Sequence, residues 1–275
     1  MQLISVGDHI ESGIYTVHSK FKDIVNLINN NGFVSVASTE KYFGPYNIII
    51  DDFLLSNINK IEINDYKLSI NNYYFHINKE IVWSSFYLFP EIDSDALLNK
   101  INCLINTLKT MVSDHSLLFI QNKKLPETLY GFNKELYKSI KTGIDTLYVY
   151  GPEKGIPLIK GKGMGLTPSG DDFITGYLYA LYTLEKIYTA SNYDLRKKIF
   201  NDAISTNIIS NFQLKAASEG WFSSCFFPLL DFLFKNNNFN CLTACKPLLS
   251  CGFTSGEDIL SGFILSLKFF LTHSY

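Results

Sequence analysis

The chain has 275 residues, 47% of them hydrophobic and 18% charged, with 17 Tyr and 22 Phe; that is enough apolar surface for a substantial core, and it excludes a disordered ground state or a disulfide miniprotein. Lys and Arg number 24 and Asp and Glu 26, a formal charge of −2, so no cationic excess exists to neutralise a phosphate backbone and no nucleic acid partner is expected. The most apolar stretches, 221–234 and 259–271, are interrupted by Pro228, Asp231 and Lys268. They fall short of the ~20 nearly uncharged residues of a membrane span. Residues 1–8 carry no basic, apolar leader, and a cytoplasmic location with no membrane partner is the expectation.

In chain order, β-type runs come first, at 32–37, 46–50, 67–70 and 73–77, with Asn71-Asn72 as a hairpin turn because Asn tolerates positive φ. One helix is expected at 21–28. Beyond Pro90 the period changes: Ala96, Leu97, Ile101, Leu104, Ile105 and Leu108 recur at helical spacing behind Asp93-Ser94-Asp95. Further helices are expected at 133–141, 171–188, 195–219, 221–234 and 256–271, and the segment 151–157 is turn-rich. The fold class is therefore α+β, a small, mostly antiparallel β-rich region at 1–92 followed by a predominantly helical region at 93–275. Cys103, Cys225, Cys241, Cys245 and Cys251 are odd in number and contain no Cys-x-x-Cys pair, which points to buried free thiols.

The most informative stretch is Gly161-Lys162-Gly163-Met164-Gly165-Leu166-Thr167-Pro168-Ser169-Gly170-Asp171-Asp172, which runs into an apolar helix. Alternate glycines let the backbone approach a ligand, and the helix start offers free N–H groups and a positive dipole end. Gly161, Gly163, Gly165, Thr167, Ser169, Gly170 and Asp171 are thus candidates to bind an anion. Neither the phosphate-loop nor the dinucleotide glycine pattern is matched. Ordinary helix capping would explain Thr167-Pro168-Ser169 and the Ser169-x-x-Asp172 spacing alone. A second copy argues for more: Ser169-Gly170-Asp171-Asp172-Phe173-Ile174-Thr175-Gly176 recurs as Ser255-Gly256-Glu257-Asp258-Ile259-Leu260-Ser261-Gly262, behind Thr254. Thr254, Ser255 and Gly256 join the candidates.

Four acids beside an anion would repel it unless some turn away or a cation intervenes. Asp172 and Asp258, the second acid of each copy, are the expected inward pair, suited to Mg²⁺ or to proton transfer. Glycines at matching positions, Gly176 and Gly262, predict that the two helices pack directly, related by a local pseudo-two-fold, with both N-termini opening on one polar site. Thr206 and Ser210 stand at i and i+4 on one expected helix, and Ser210 is a further ligand candidate.

The glycine loop with its Ser-Gly-Asp-Asp start, Thr206-x3-Ser210, Ala217-x2-Gly220 and Thr254-Ser255-Gly256-x-Asp258-x-Leu260-x-Gly262 resemble, over about residues 150–265, a bacterial family long described as a domain of unknown function. One member type is the AllH subunit of oxamate carbamoyltransferase, which acts in anaerobic allantoin breakdown. The resemblance implies a share in transferring a carbamoyl group between oxalurate and phosphate, giving oxamate and carbamoyl phosphate, together with other carbamoyltransferase subunits. Phe253 stands where the family's second motif is expected to carry His. Two other readings of the residues stay open, a non-catalytic ligand-sensing or assembly component and a metal-dependent phosphohydrolase.

Overall fold

The computed structural model describes residues 2–30, 32–51, 55–111, 115–122, 127–188, 191–235 and 240–273. Their internal contacts divide the chain into two units, Met1–Tyr87 with Trp221–Cys225, and Leu88–Gly220 with Phe226–Tyr275. The first holds the strands and the second the long helices, an α+β organisation.

The strands are β1 (Gln2–Gly7), β2 (Gly13–Lys20), β3 (Ile24–Ile28), β4 (Phe33–Ala37), β5 (Asn47–Asp51), β6 (Lys60–Asn64), β7 (Lys67–Ile70), β8 (Tyr73–His76) and β9 (Val82–Trp83). They form one sheet in the order β8-β7-β6-β2-β3-β4-β5-β1-β9, antiparallel except at β4·β5 and β1·β9. In β6, Ile61 and Ile63 are buried between exposed Lys60, Glu62 and Asn64, the alternation that seats one sheet face on a core. Asn71 turns the β7–β8 hairpin with φ 53°.

The helix expected at 21–28 is instead strand β3. Its β-branched Ile24, Val25 and Ile28 suit a pleated surface, and it is hydrogen-bonded on both sides, to β2 and β4. Its buried Asn26 is satisfied across strands, accepting from Ser35 Oγ at 2.6 Å and donating to Ser19 Oγ at 3.1 Å. The start of the helix expected at 221–234 is also corrected. Trp221 stacks on the His9 ring with centroids 3.5 Å apart, and the Phe222 and Ser224 amides donate to Ser85 O and Phe43 O, so these residues complete the β unit.

The helical unit contains α1 (Ser94–Leu108), α2 (Gly131–Tyr150), α3 (Pro152–Ile159), α4 (Ser169–Tyr188), α5 (Tyr193–Ala203), α6 (Ile208–Glu219), α7 (Phe227–Phe234), α8 (Cys241–Leu249) and α9 (Ser255–His273). The segment read as turn-rich, 151–157, lies mostly in α3: Pro152 occupies a first-turn position where no N–H is needed. The single helix expected at 195–219 is two, because Asn207 caps α6 by accepting from the Ser210 amide, and the Asn211 side chain binds the Ser205 backbone at both its N–H and its carbonyl. Thr206 consequently lies before α6 rather than on it. Cys103 of α1 and Cys241 of α8 are joined in a disulfide, against the expectation of free thiols; a partner 138 residues away leaves no signature in local spacing. Cys225, Cys245 and Cys251 are free.

Every residue of α4 from Ser169 to Leu184 is buried, so this helix is the centre of its unit rather than an amphipathic cover. No helix among the described residues is long and apolar enough to cross a membrane.

Candidate functional site

Helices α4 and α9 cross at their glycines. A Cβ on Gly176 would lie 2.0 Å from Ile259 O, and one on Gly262 would lie 2.1 Å from Phe173 O. Phe173 and Ile259 occupy matching places in the two copies, so each contact is the other's mirror under a local two-fold. Only glycine at both positions allows the backbones to touch.

The repeat reaches further upstream than the sequence shows. In the first copy Lys162 N donates to Ile159 O, Gly170 N to Lys162 O and Asp172 N to Pro168 O; in the second Cys251 N donates to Leu248 O, Gly256 N to Cys251 O and Asp258 N to Thr254 O. Each unit is thus a short Pro-containing helix, a loop and a long helix: α3 with α4, and α8 with α9. Cβ atoms on Gly170 and Gly256 would meet Ile159 O at 1.9 Å and Leu248 O at 1.8 Å, so these glycines serve the joint between short and long helix, and their amides are spent on it. The first loop is the longer one, and its additional length contains Gly163 and Gly165.

Asp172 and Asp258 meet where the two helix starts converge. Both are fully buried, and each long helix lends a serine to the other's acid: the Ser255 hydroxyl acts on Asp172, and the Ser169 hydroxyl on Asp258. Asp172 Oδ1 accepts from Gln213 Nε2 at 2.6 Å and Oδ2 from Thr167 Oγ1 at 3.0 Å, while Thr167 Oγ1 also lies 3.0 Å from Ser255 Oγ. Asp258 Oδ1 accepts from the Leu117 amide at 2.6 Å, but its Oδ2 is buried without a partner among the described residues; the Ser169 and Thr254 hydroxyls favour its charged form without bonding that oxygen.

Burial pushes both carboxyls towards their neutral forms, Asp258 to about 7 and Asp172 well above the usual range; the Asp258 charge adds to the rise at Asp172. Asp171 Oδ1 accepts from the Gly161 amide at 2.6 Å and Oδ2 has no partner. Beside it the Ser210 hydroxyl, equally buried and unpartnered, favours the Asp171 carboxylate. Glu257 also has one unpartnered oxygen, Oε2.

The candidate residues therefore converge but divide in role. Gly161, Gly170 and Gly256 have committed amides. Gly163 and Gly165 take φ values of 133° and 105°, closed to ordinary side chains, and a Cβ on Gly165 would meet only Thr167 O, at 3.8 Å. Gly163 is held from the side by Ser169, whose amide would lie 2.2 Å from a Cβ there. As for a metal, both Asp172 oxygens already accept from protein donors, and among the described residues no three His, Cys, Asp or Glu side chains form a metal-binding group.

Sequence reading missed Gln213, the Leu117 amide, Ser116 and Tyr137. Gln213 follows Ser210 by one helical step on α6 and could have been found as a polar residue on the same apolar face. Tyr137 donates to His115 O, and burial followed by the Asp258 charge pushes its hydroxyl up to about 12. Ser116, whose hydroxyl favours the charged form of Glu257, and Leu117, which opens a short 3-10 helix, come from a distant segment.

Two buried acids thus lie behind a glycine loop, at paired helix N-termini. Residues 159–267, which contain both long helices' motifs, match the family model described as oxamate carbamoyltransferase subunit AllH. No solved structure matches the chain.

Proposed function

We propose that the chain is a cytoplasmic subunit of a carbamoyltransferase acting on oxalurate or oxamate and carbamoyl phosphate, working with other subunits of that enzyme. The observation that carries this reading is the buried Asp172–Asp258 pair at the α4 and α9 starts, inside the region that matches the family model. The anionic part of the ligand is assigned to the loop at Gly163 and Gly165, with Thr167 and Ser169 beside it. Neither glycine amide donates to a described residue, and the α4 dipole favours negative charge there.

In the transfer, a phosphate oxygen bonds to the carbamoyl carbon of oxalurate and the bond from that carbon to the oxamate nitrogen breaks. The departing nitrogen must take up one proton. A buried carboxyl held near neutrality, as Asp258 is at about 7, can give that proton and retake it in the reverse direction. Asp172, fixed by Gln213 and Thr167, is pushed towards its neutral form by burial and then by the Asp258 charge, so the pair does not ionise together.

Calorimetric titration of the full chain with carbamoyl phosphate tests the reading, with Gly165→Val as control. Binding by the native chain, lost in the folded variant, supports it. Equal binding by both removes the loop from the site, and no binding of carbamoyl phosphate, phosphate or oxamate overturns the proposal.

A further inference from the structure

A cavity of about 240 Å³ lies between α2, the end of α3 and the start of the glycine loop. Glu135, Lys138, Ser139 and Thr142 of α2, Leu158 of α3 and Lys162 of the loop line it. The four α2 residues are spaced i, i+3, i+4 and i+7, and so share one face of that helix. Tyr137, whose hydroxyl feels the Asp258 charge, stands two residues, about 200°, round the helix from both Glu135 and Ser139. The cavity and the acid pair therefore lie on opposite sides of α2, and the proposed transfer uses none of these six side chains.

What the cavity presents is donors. Lys162 Nζ donates to Ser139 Oγ, and among the described residues no carboxylate pairs with this ammonium. An ammonium has three N–H groups, so two remain to give. Having accepted from Lys162, Ser139 keeps its own hydroxyl hydrogen, whereas the Thr142 hydroxyl is spent on Lys138 O at 3.0 Å. Lys138 brings a second ammonium; its pair with Glu135, at 3.8 Å, is mostly exposed on both sides and is weak enough to exchange. Behind Lys162 the backbone is fixed: its amide donates to Ile159 O at 3.1 Å and its carbonyl accepts from Gly170 N at 2.7 Å. The side chain is thus presented from a held Cα, and less freedom is lost when it is bound. We infer that this cavity is a binding site for a small oxyanion, a carboxylate or a phosphate, held by Lys162, Lys138 and Ser139 and separate from the acid pair. Its volume is below the ~300–1,000 Å³ of pockets for drug-sized ligands, so the occupant is a small acid, with Leu158 as the apolar wall against a short carbon skeleton.

The test follows backbone amides one by one. The full chain, labelled with ¹⁵N, is titrated at constant ionic strength with inorganic phosphate and separately with malonate. Saturable NMR shifts of the Ser139 and Thr142 amides are expected, with affinity lowered about fivefold or more by Lys162→Gln and by Lys138→Gln. Saturation by phosphate alone assigns a phosphate-bearing ligand, and by malonate alone a carboxylate. Should Lys162→Gln disturb the loop, Lys138→Gln decides, since it lies outside it. Shifts that never saturate, or that saturate equally in the folded variants, mean an adventitious ion only and overturn the site, as does the absence of any shift on α2. Shifts confined to the Gly163 and Gly165 amides overturn it as well and leave the proposed function standing.

Discussion

The two copies of the helix-loop-helix unit share a backbone plan and differ in how their acids are treated. In the first, Asp172 accepts from Gln213 and Thr167 and sits against Ser255; in the second, Asp258 accepts from the Leu117 amide and sits against Ser169 and Thr254, with one oxygen unpartnered among the described residues. The two units share equivalent helix starts and a glycine crossing, but their loops differ in length and their acids have different neighbours, Gln213 on one side and the Leu117 amide on the other. Symmetry here accounts for position, and asymmetry for chemistry.

The symmetric part is the hardest to disturb without loss. Gly176→Ala and Gly262→Ala each drive a methyl group into a backbone carbonyl that cannot rotate away, and each should destabilise the helical unit by about 3 kcal/mol or more in urea unfolding. Because both report on one crossing, the double variant should cost clearly less than the sum. Additive losses, or one silent glycine, would break the two-fold.

Removing the acids should expose the asymmetry. Asp172→Ala strands the Gln213 amide and two hydroxyls in a buried site and should cost about 3 kcal/mol. Asp258→Ala strands the Leu117 amide and withdraws the acid from the Ser169 and Thr254 hydroxyls, but also relieves a buried carboxyl with one unpartnered oxygen, and should cost about 2 kcal/mol. Equal losses would mean that the two acids are used alike.

The same carboxyl predicts a pH signature. Asp258 holds its proton up to about pH 7 when folded, against an ordinary value near 4 when unfolded. The folded state then binds the proton more tightly, so this group's stabilising contribution is complete below about pH 4, is lost as pH rises to about 7 and is constant above that. Its share of the slope is up to about 1.4 kcal/mol per pH unit, and Asp258→Asn should remove it from unfolding curves collected across that window.

Much of this was legible in the chain itself. The duplicated Ser-Gly-acid-Asp run announces both helix starts, and Gly176 and Gly262 announce their crossing, because close backbone approach needs glycine and the two occupy matching places. The α+β division followed from the change of period near Pro90. Strand β3 was misread because Ile24, Val25, Leu27 and Ile28 fit a helical stripe as well as a buried central strand, and only pairing with β2 and β4 decides between them. The upstream half of the repeat was invisible because it is carried by carbonyls rather than side chains. Leu117 could not be seen for the same reason: an amide that binds Asp258 from a distant segment has no residue-type signature.

The smallest predicted effect bears most directly on the comparison. Each serine serves the acid of the other helix, so removing one hydroxyl should be felt across the crossing rather than along the chain. Ser169→Ala withdraws a group that favours ionised Asp258 and should raise the Asp258 pKa further while leaving Asp172 nearly where it is. Ser255→Ala should do the reverse, raising Asp172 and sparing Asp258. Each variant loses about 1 kcal/mol of stability, too little to separate the sites by unfolding, so the measurement is a carboxyl ¹³C NMR titration of both aspartates in both variants. A crossed pattern fits two interlocked half-sites. If each serine instead moved the acid on its own helix, Ser169 with Asp172 and Ser255 with Asp258, the motif would be a pair of independent capping boxes, and the shared site would have no basis.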